Sequence, residues 1–176
     1  GQEANGIYSG LSFIYITVFV MIGTSIGYVL FPMLSKKEKI DIKKLVIYAG
    51  IGITLILFIF IVFGHLINSI AFKGKFDIHR TPAIDIMIIS IGALQFVNGL
   101  LHWFVLGLGT KKDIIDYLKV IIGVLSLYFV LMIGVSNWNV KEFTVVIPIV
   151  LLAWICKLLV TIIFIRKNKI IKSYLK

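Results

Sequence analysis

The chain has 176 residues, of which 60% are hydrophobic and 15% are charged, and its mean hydropathy is +1.05. These values exclude an ordinary water-soluble domain and indicate an integral membrane protein. The formal net charge of +10 does not indicate nucleic-acid binding, because the lysines lie in short connections where they would contact anionic membrane lipids. The single cysteine, Cys156, excludes a disulfide within the chain and a cysteine metal cluster.

Five long apolar segments predict an all-α fold, a polytopic transmembrane helix bundle that forms one domain over residues 1–176. Each segment is long enough to cross about 30 Å of hydrocarbon at about 1.5 Å per residue. The segments run over Gly6–Leu34, Leu45–Ala71, Ala83–Leu108, Ile114–Val135 and Phe143–Ile165. Because the connections are short, we expect consecutive helices to be antiparallel neighbours.

Small residues along the first three segments predict close contacts between helices. In a membrane, helices associate by packing at such residues, since lipid tails are as apolar as leucine. The glycines concerned are Gly6, Gly10, Gly23, Gly27, Gly50, Gly52, Gly92 and Gly99. On the first segment Tyr8, Ser12 and Tyr15 share one face, which is typical of an aromatic belt at the outer interface. The mouth of an outer cavity is the alternative interpretation of this face.

The basic residues lie unevenly on the two sides of the predicted bundle. One side holds Lys36, Lys37, Lys39, Lys43, Lys44, Lys111, Lys112, Lys119, Arg166, Lys167, Lys169, Lys172 and Lys176. The other side holds Lys73, Lys75, Arg80 and Lys141. Under the positive-inside rule the lysine-rich side is cytoplasmic. The chain is therefore expected to begin outside the cell and to end in the cytoplasm.

Three polar residues of the third segment, Gln95, Asn98 and His102, lie within an arc of about 60° on a helix. Such a stripe should not face lipid tails, because unpaired polar groups there cost several kcal/mol. Two interpretations remain open. The stripe is either a ladder of hydrogen bonds between helices or the wall of a cavity that handles a sugar or a charged headgroup.

Lys157 is a cation within the fifth segment, about 13 Å from its inner boundary by helical rise. Trp154 and Thr161 lie within about 60° of it on the same helix. A lysine at this depth costs about 2.5–3.5 kcal/mol on the insertion scale. Either it snorkels or contacts a carbonyl group, or it binds an anion such as a phosphate or diphosphate.

Catalytic patterns are missing from the sequence. The segments hold no deep acidic residue that could pair with Lys157, since Asp85 and Asp116 lie near opposite surfaces. The three histidines show no metal-ligand spacing, and no glycine-rich phosphate loop is present. We therefore predict no enzymatic activity, no metal site and no cofactor.

Short motifs resemble those of the polysaccharide-biosynthesis flippase family, within the multidrug, oligosaccharidyl-lipid and polysaccharide exporter superfamily. One is the stretch Ala4-Asn5-Gly6-Ile7-Tyr8-Ser9-Gly10, and another is the helix exit Phe31-Pro32-Met33-Leu34-Ser35-Lys36-Lys37. A third is the turn Val105-Leu106-Gly107-Leu108-Gly109-Thr110-Lys111-Lys112. The order of the helices and the amphipathic outer connection near Phe72 are similar as well, so the resemblance covers nearly the whole chain.

The resemblance implies a two-lobed transporter fold of twelve or more helices in the plasma membrane of a prokaryote, of which this chain would be the last five helices. A missing N-terminal lobe of the same protein would then be its partner, in keeping with an opening that lacks Met. It also implies alternating access and a lipid-diphosphate-linked oligosaccharide as the substrate. On physical grounds Lys157 would attract the diphosphate, and Gln95, Asn98 and His102 would line the cavity.

Other functions remain open at this point. A cation-coupled drug exporter of the same superfamily would need deep acidic residues. A membrane enzyme acting on lipid-linked sugars would need acidic or histidine residues on a sizeable outer loop. A non-catalytic membrane subunit would leave the intramembrane lysine without a purpose.

Overall fold

The computed structural model describes residues 2–36, 38, 40–75, 81–137 and 143–170. Its five helices are α1 (Gln2–Ser35), α2 (Ile42–Phe72), α3 (Pro82–Leu108), α4 (Lys111–Asn137) and α5 (Phe143–Lys167). All five are long and apolar enough to span a membrane. The predicted helical class and number of spans are confirmed, and the bounds agree to within a few residues. Some basic residues used to predict the orientation lie outside the described residues: Lys37, Lys39, Arg80, Lys141, Lys172 and Lys176.

Side-chain caps fix where three of the helices begin. Asp41 accepts a hydrogen bond from the Lys44 backbone amide (3.1 Å) at the start of α2. Thr81 caps α3 in the same way, with Pro82 at the first helical position. Thr110 and Asp113 exchange side-chain and backbone hydrogen bonds at the start of α4, at 3.0 and 3.2 Å. This reciprocal pair is a capping box with aspartate in place of glutamate.

The centre of the bundle is α3, and its largest interfaces are with α1 and α5. The packed pairs along α1 and α3 are Phe19 with Gly92, Gly23 with Phe96, Gly27 with Trp103, and Leu34 with Gly107. Residue numbers rise together along both helices, so α1 and α3 run parallel. Consecutive helices contact one another as expected, but the two largest interfaces join alternate helices.

Glycines make the close approach of α1 and α3 possible. A Cβ atom added at Gly27 would overlap the Trp103 indole, and one at Gly92 would come within 2.5 Å of the Phe19 ring. The prediction of close helix contacts is confirmed at these positions and at Gly23. It is wrong for Gly6, Gly50, Gly52 and Gly99, where an added Cβ would meet no atom within 4 Å.

Aromatic side chains fill the core between α1, α2 and α3. Tyr15 is fully buried, and its ring packs edge-on against Phe60 at 5.0 Å between centroids. Phe19 contacts Phe60 in the same way, at 5.8 Å. The outer-belt interpretation is therefore wrong for Tyr15, and Ser12 is also buried. Gly64 has no side chain to occupy the space beside the Tyr15 ring, so the ring enters the interface.

Helices α2 and α4 turn most of their surface outward. In the most apolar window of each helix, 6% of α2 and 11% of α4 is buried, against 39% of α3. Their exposed side chains are mainly Ile, Leu, Val and Phe. These two helices therefore leave most of their apolar surface without contact to the other described helices.

Candidate functional site

A cavity of about 290 Å³ lies between α1, α3 and α5, and Ile121 of α4 completes its wall. Val20, Gln95 and Trp154 line it, and each lies near the middle of its own helix. The cavity therefore lies about halfway along the bundle. The full lining is Phe19, Val20, Gly23, Thr24, Gln95, Phe96, Asn98, Gly99, His102, Trp103, Ile121, Trp154 and Lys157.

Five of the six residues singled out from the sequence meet at this cavity. The polar stripe of α3 contributes Gln95, Asn98 and His102, and α5 contributes Trp154 and Lys157. The sixth, Thr161, is fully buried and is not part of the lining. Its hydroxyl donates a hydrogen bond to the Lys157 carbonyl oxygen at 2.8 Å, so it contacts the backbone of Lys157 and not its side chain.

Asn98 joins α3 to α5 at the cavity wall. Its Nδ2 donates to the Leu94 carbonyl oxygen at 2.9 Å and, more weakly, to the Trp154 carbonyl oxygen at 3.4 Å. Its Oδ1 is buried and accepts no hydrogen bond from any described residue. Asn98 thus belongs partly to an interhelical ladder, and it keeps one acceptor that a water molecule or a ligand hydroxyl could use.

His102 connects the polar stripe to α4. Its Nδ1 lies 3.4 Å from the Tyr117 hydroxyl, and the two rings are 5.5 Å apart between centroids. Tyr117 is fully buried, so His102 makes this contact with the interior of the bundle. The ring is half-buried.

Lys157 is partly buried, and its Nζ lies 4.5 Å from the centroid of the Trp154 ring. A cation–π contact of this kind stabilises by about 0.5–2 kcal/mol, less than the about 2.5–3.5 kcal/mol that a lysine at the helix centre costs. Among the described residues, the cavity lining contains no carboxylate. The ammonium group is therefore only partly stabilised by the protein, and an anion in the cavity would stabilise it further.

Several lining residues were not predicted from the sequence. Thr24 donates its hydroxyl proton to the Val20 carbonyl oxygen at 2.8 Å, but its oxygen can still accept a hydrogen bond. Trp103 lies beside the rings of Tyr28 and Phe31. Gly99 enlarges the cavity because it has no side chain. The sequence indicated close helix contact at Gly23, the neighbour of Thr24, but it did not show which helix would lie opposite.

No protein-family model matches the chain, and no curated protein or solved structure matches it either. Among the described residues, no group of three or more His, Cys, Asp or Glu side chains could hold a metal ion. The fold defines a polytopic membrane protein. Its cavity is largely apolar, and among the described residues it carries the polar groups of α3 and the side chain of Lys157. The resemblance to the flippase family stays a prediction.

Proposed function

We propose that the chain forms the substrate-facing helices of a membrane flippase for lipid-diphosphate-linked oligosaccharides. The single observation that supports this best is the meeting of Lys157 with Gln95, Asn98 and His102 at one cavity about halfway along the bundle. An ammonium group is suited to a diphosphate. Amide and imidazole groups supply donors and acceptors for sugar hydroxyls.

In this proposal the lysine-rich side is cytoplasmic, and the substrate crosses from the inner to the outer leaflet by alternating access. The other lobe of a two-lobed transporter would close the cavity opposite α1, α3 and α5. A cavity about halfway along the bundle suits such a mechanism, because transporter sites lie near the bilayer midplane between the parts that rock.

The charge of the cavity separates the flippase from a cation-coupled drug exporter. An exporter of cations needs carboxylates at the site, and the lining among the described residues has an ammonium group instead. An enzyme acting on lipid-linked sugars would need acids or histidines arranged for catalysis. Among the described residues, His102 is the single titratable group in the lining besides Lys157.

The test is transport by the intact protein carrying Lys157→Ala, Lys157→Arg or Lys112→Ala. The measurement is the amount of lipid-linked oligosaccharide that reaches the outer leaflet, at equal amounts of membrane-inserted protein. Loss of a charge-assisted contact worth about 1.5–3 kcal/mol predicts that Lys157→Ala lowers transport by about 10- to 100-fold. Lys157→Arg should keep part of the activity, and the exposed Lys112→Ala should keep all of it. Unchanged transport in Lys157→Ala would remove this lysine from the site.

A second variant tests the cavity without changing its charge. Because a Cβ at Gly99 would meet no atom within 4 Å, Gly99→Leu should fill the cavity without disturbing the helices. We expect this variant to insert normally and to lose transport. Gly52→Leu on α2 is the matched control, since that position is also open but lies outside the cavity lining.

A further inference from the structure

A chain of polar side chains leads from the cavity into the interface between α4 and α5. His102 lines the cavity, and its Nδ1 lies 3.4 Å from the Tyr117 hydroxyl. The Tyr117 hydroxyl also makes a side-chain hydrogen bond with Thr161, whose own hydroxyl donates to the Lys157 carbonyl oxygen at 2.8 Å. Tyr117 and Thr161 are both fully buried, so bulk water does not compete for these contacts.

The direction of the hydrogen bonds along this chain follows from the number of protons available. Each hydroxyl carries one proton to donate. Thr161 gives its proton to a carbonyl oxygen, so towards Tyr117 it acts as the acceptor. Tyr117 therefore donates to Thr161 and accepts from His102. In the opposite direction Thr161 would donate to Tyr117, and the chain would keep two of its three hydrogen bonds.

This direction fixes the tautomer of His102. A neutral imidazole has one donor nitrogen and one acceptor nitrogen. Because Nδ1 donates to the Tyr117 hydroxyl, the ring proton is on Nδ1 and the acceptor is Nε2. His102 therefore brings an acceptor to the cavity that it lines.

Asn98 brings a second acceptor to the same cavity. Both contacts of its Nδ2 are with carbonyl oxygens, which only accept, so the network assigns the amide in one orientation. The side chain is 2% exposed, and its Oδ1 accepts no hydrogen bond from any described residue. A buried oxygen of this kind favours a ligand or a water molecule that donates to it.

We propose that Tyr117 and Thr161 are positioning residues that hold His102 as a hydrogen-bond acceptor in the cavity. The cavity then offers the Lys157 ammonium group together with acceptors on Asn98 and His102. The ligand that satisfies these groups is an anion with neighbouring hydroxyl donors, a sugar phosphate. Inorganic phosphate has the charge but lacks the hydroxyl groups of a sugar. This ligand class rests on the proposed function, whereas the tautomer of His102 does not.

Nitrogen-15 NMR of the intact protein in detergent micelles tests the tautomer directly, because protonated and unprotonated ring nitrogens have widely different chemical shifts. The chain has three histidines, and His102→Gln identifies the signals of His102 by their loss. At about pH 8, where an ordinary imidazole is neutral, we expect the ring proton on Nδ1. A proton on Nε2 in the unaltered protein would overturn the proposal.

Substitutions along the chain test the positioning role. Thr161→Val removes the acceptor of the Tyr117 proton, which Tyr117 then donates to Nδ1, so the His102 proton should move to Nε2. Tyr117→Phe removes the acceptor of the Nδ1 proton, so the fraction of the Nδ1-protonated form should fall. Thr161→Ser keeps a hydroxyl and should keep the proton on Nδ1. Tyr128→Phe, on α4 outside the cavity lining, is the control and should change nothing.

Thr161→Val decides even if Tyr117→Phe does not fold. Thr161 makes no contact with the His102 ring in this chain of bonds, so a structural role alone would not move the ring proton. An unchanged tautomer in Thr161→Val would contradict the positioning role.

Tryptophan fluorescence measures the ligand class, since Trp103 and Trp154 line the cavity. We expect glucose 1-phosphate to bind about tenfold more tightly than inorganic phosphate, through hydrogen bonds to the two acceptors. Tyr117→Phe should reduce this ratio, and Lys157→Ala should weaken both ligands. Equal affinities in the unaltered protein would overturn the ligand class. Glucose linked to a polyprenyl phosphate is the third probe, and its affinity relative to glucose 1-phosphate shows whether the ligand is lipid-linked or free.

This inference and the proposed function can fail separately. If Lys157→Ala transports normally while the tautomer follows the prediction, the proposed function fails and the positioning of His102 stands. If Nε2 carries the proton while Lys157→Ala loses transport, the positioning of His102 fails and the proposed function stands.

Discussion

The second and third helices show opposite relations between hydropathy and burial. Helix α2 is the more apolar, with a mean hydropathy of 2.9 in its most apolar window, yet 6% of that window is buried. Helix α3 has a mean hydropathy of 1.8, and 39% of its window is buried. In a water-soluble protein the order would be reversed. In a bilayer lipid covers apolar side chains as well as protein does, so small and polar residues decide which helices lie at the centre.

The centre of the bundle therefore contains the groups that lipid cannot solvate. Asn98 and His102 of α3 find partners on α5 and α4, and the glycines of α1 let it approach α3 closely. Helix α2 is mostly apolar but also contains a buried polar residue, Asn68. Neither side-chain atom of Asn68 has a hydrogen-bond partner among the described residues. Substitutions at the centre of the bundle and in the outer helices should therefore change the free energy of unfolding by different amounts or in opposite directions.

The largest effect is expected at Lys157. Replacing it by Met removes a central charge that costs about 2.5–3.5 kcal/mol and loses a cation–π contact of about 0.5–2 kcal/mol. We therefore expect Lys157→Met to raise the free energy of unfolding by about 0.5–3 kcal/mol and, under the proposed function, to lower transport. Thermal unfolding in mild detergent measures the change. Lys112→Met at the exposed start of α4 should stay within about 0.5 kcal/mol. A destabilised Lys157→Met would mean that the lysine has a structural partner.

The next largest change in the free energy of unfolding is expected when a glycine of the more buried helix α1 is replaced, compared with a glycine of α2. Gly27→Ala places a methyl group against the Trp103 indole, and we expect this overpacking to cost about 1–3 kcal/mol. Gly50→Ala enters open space and should be neutral or stabilising by up to about 1 kcal/mol, because alanine favours the helix. The same unfolding measurement applies to both. Equal effects at the two positions would contradict the α1–α3 packing described above.

The smallest effect is expected at the two buried asparagines, where substitution by Leu should change the free energy of unfolding in opposite directions. Asn98→Leu removes a hydrogen bond between helices and should destabilise the protein by about 0.6–1.7 kcal/mol. Asn68→Leu removes a buried amide without a partner among the described residues, and should stabilise it by about 1 kcal/mol. Unfolding of both variants in parallel checks the prediction. Destabilisation by Asn68→Leu would reveal a partner beyond the described residues.

Much of the architecture could be predicted because it depends on single segments. Hydropathy over about 20 residues decides whether a helix spans the bilayer, so the five spans were identified to within a few residues. Helical rise and rotation placed Lys157 near the centre of α5 and the polar stripe on one side of α3. These properties require no knowledge of what lies opposite each helix.

Other features depend on which helices are neighbours. Tyr15 was predicted at an outer belt because its spacing on α1 is typical of one, but Gly64 leaves room for its ring between the helices. Thr24 and Trp103 were not predicted at the cavity, because nothing in α1 or α3 alone indicates that they share a wall. The spacing of Thr161 places it on the same helix face as Lys157. Its hydroxyl nevertheless donates to the Lys157 carbonyl oxygen, and the residue does not line the cavity.

The sequence by itself determined the membrane class, the five spans, and the positions of Lys157, Gln95, Asn98 and His102 along their helices. The tertiary structure decided that α1, α3 and α5 pack together and that these polar groups share one cavity. The physical reason is that the bilayer acts on each segment separately, through its length and composition. Pairing depends on the fit between surfaces that are distant in the chain, such as the Gly27 backbone against the Trp103 ring.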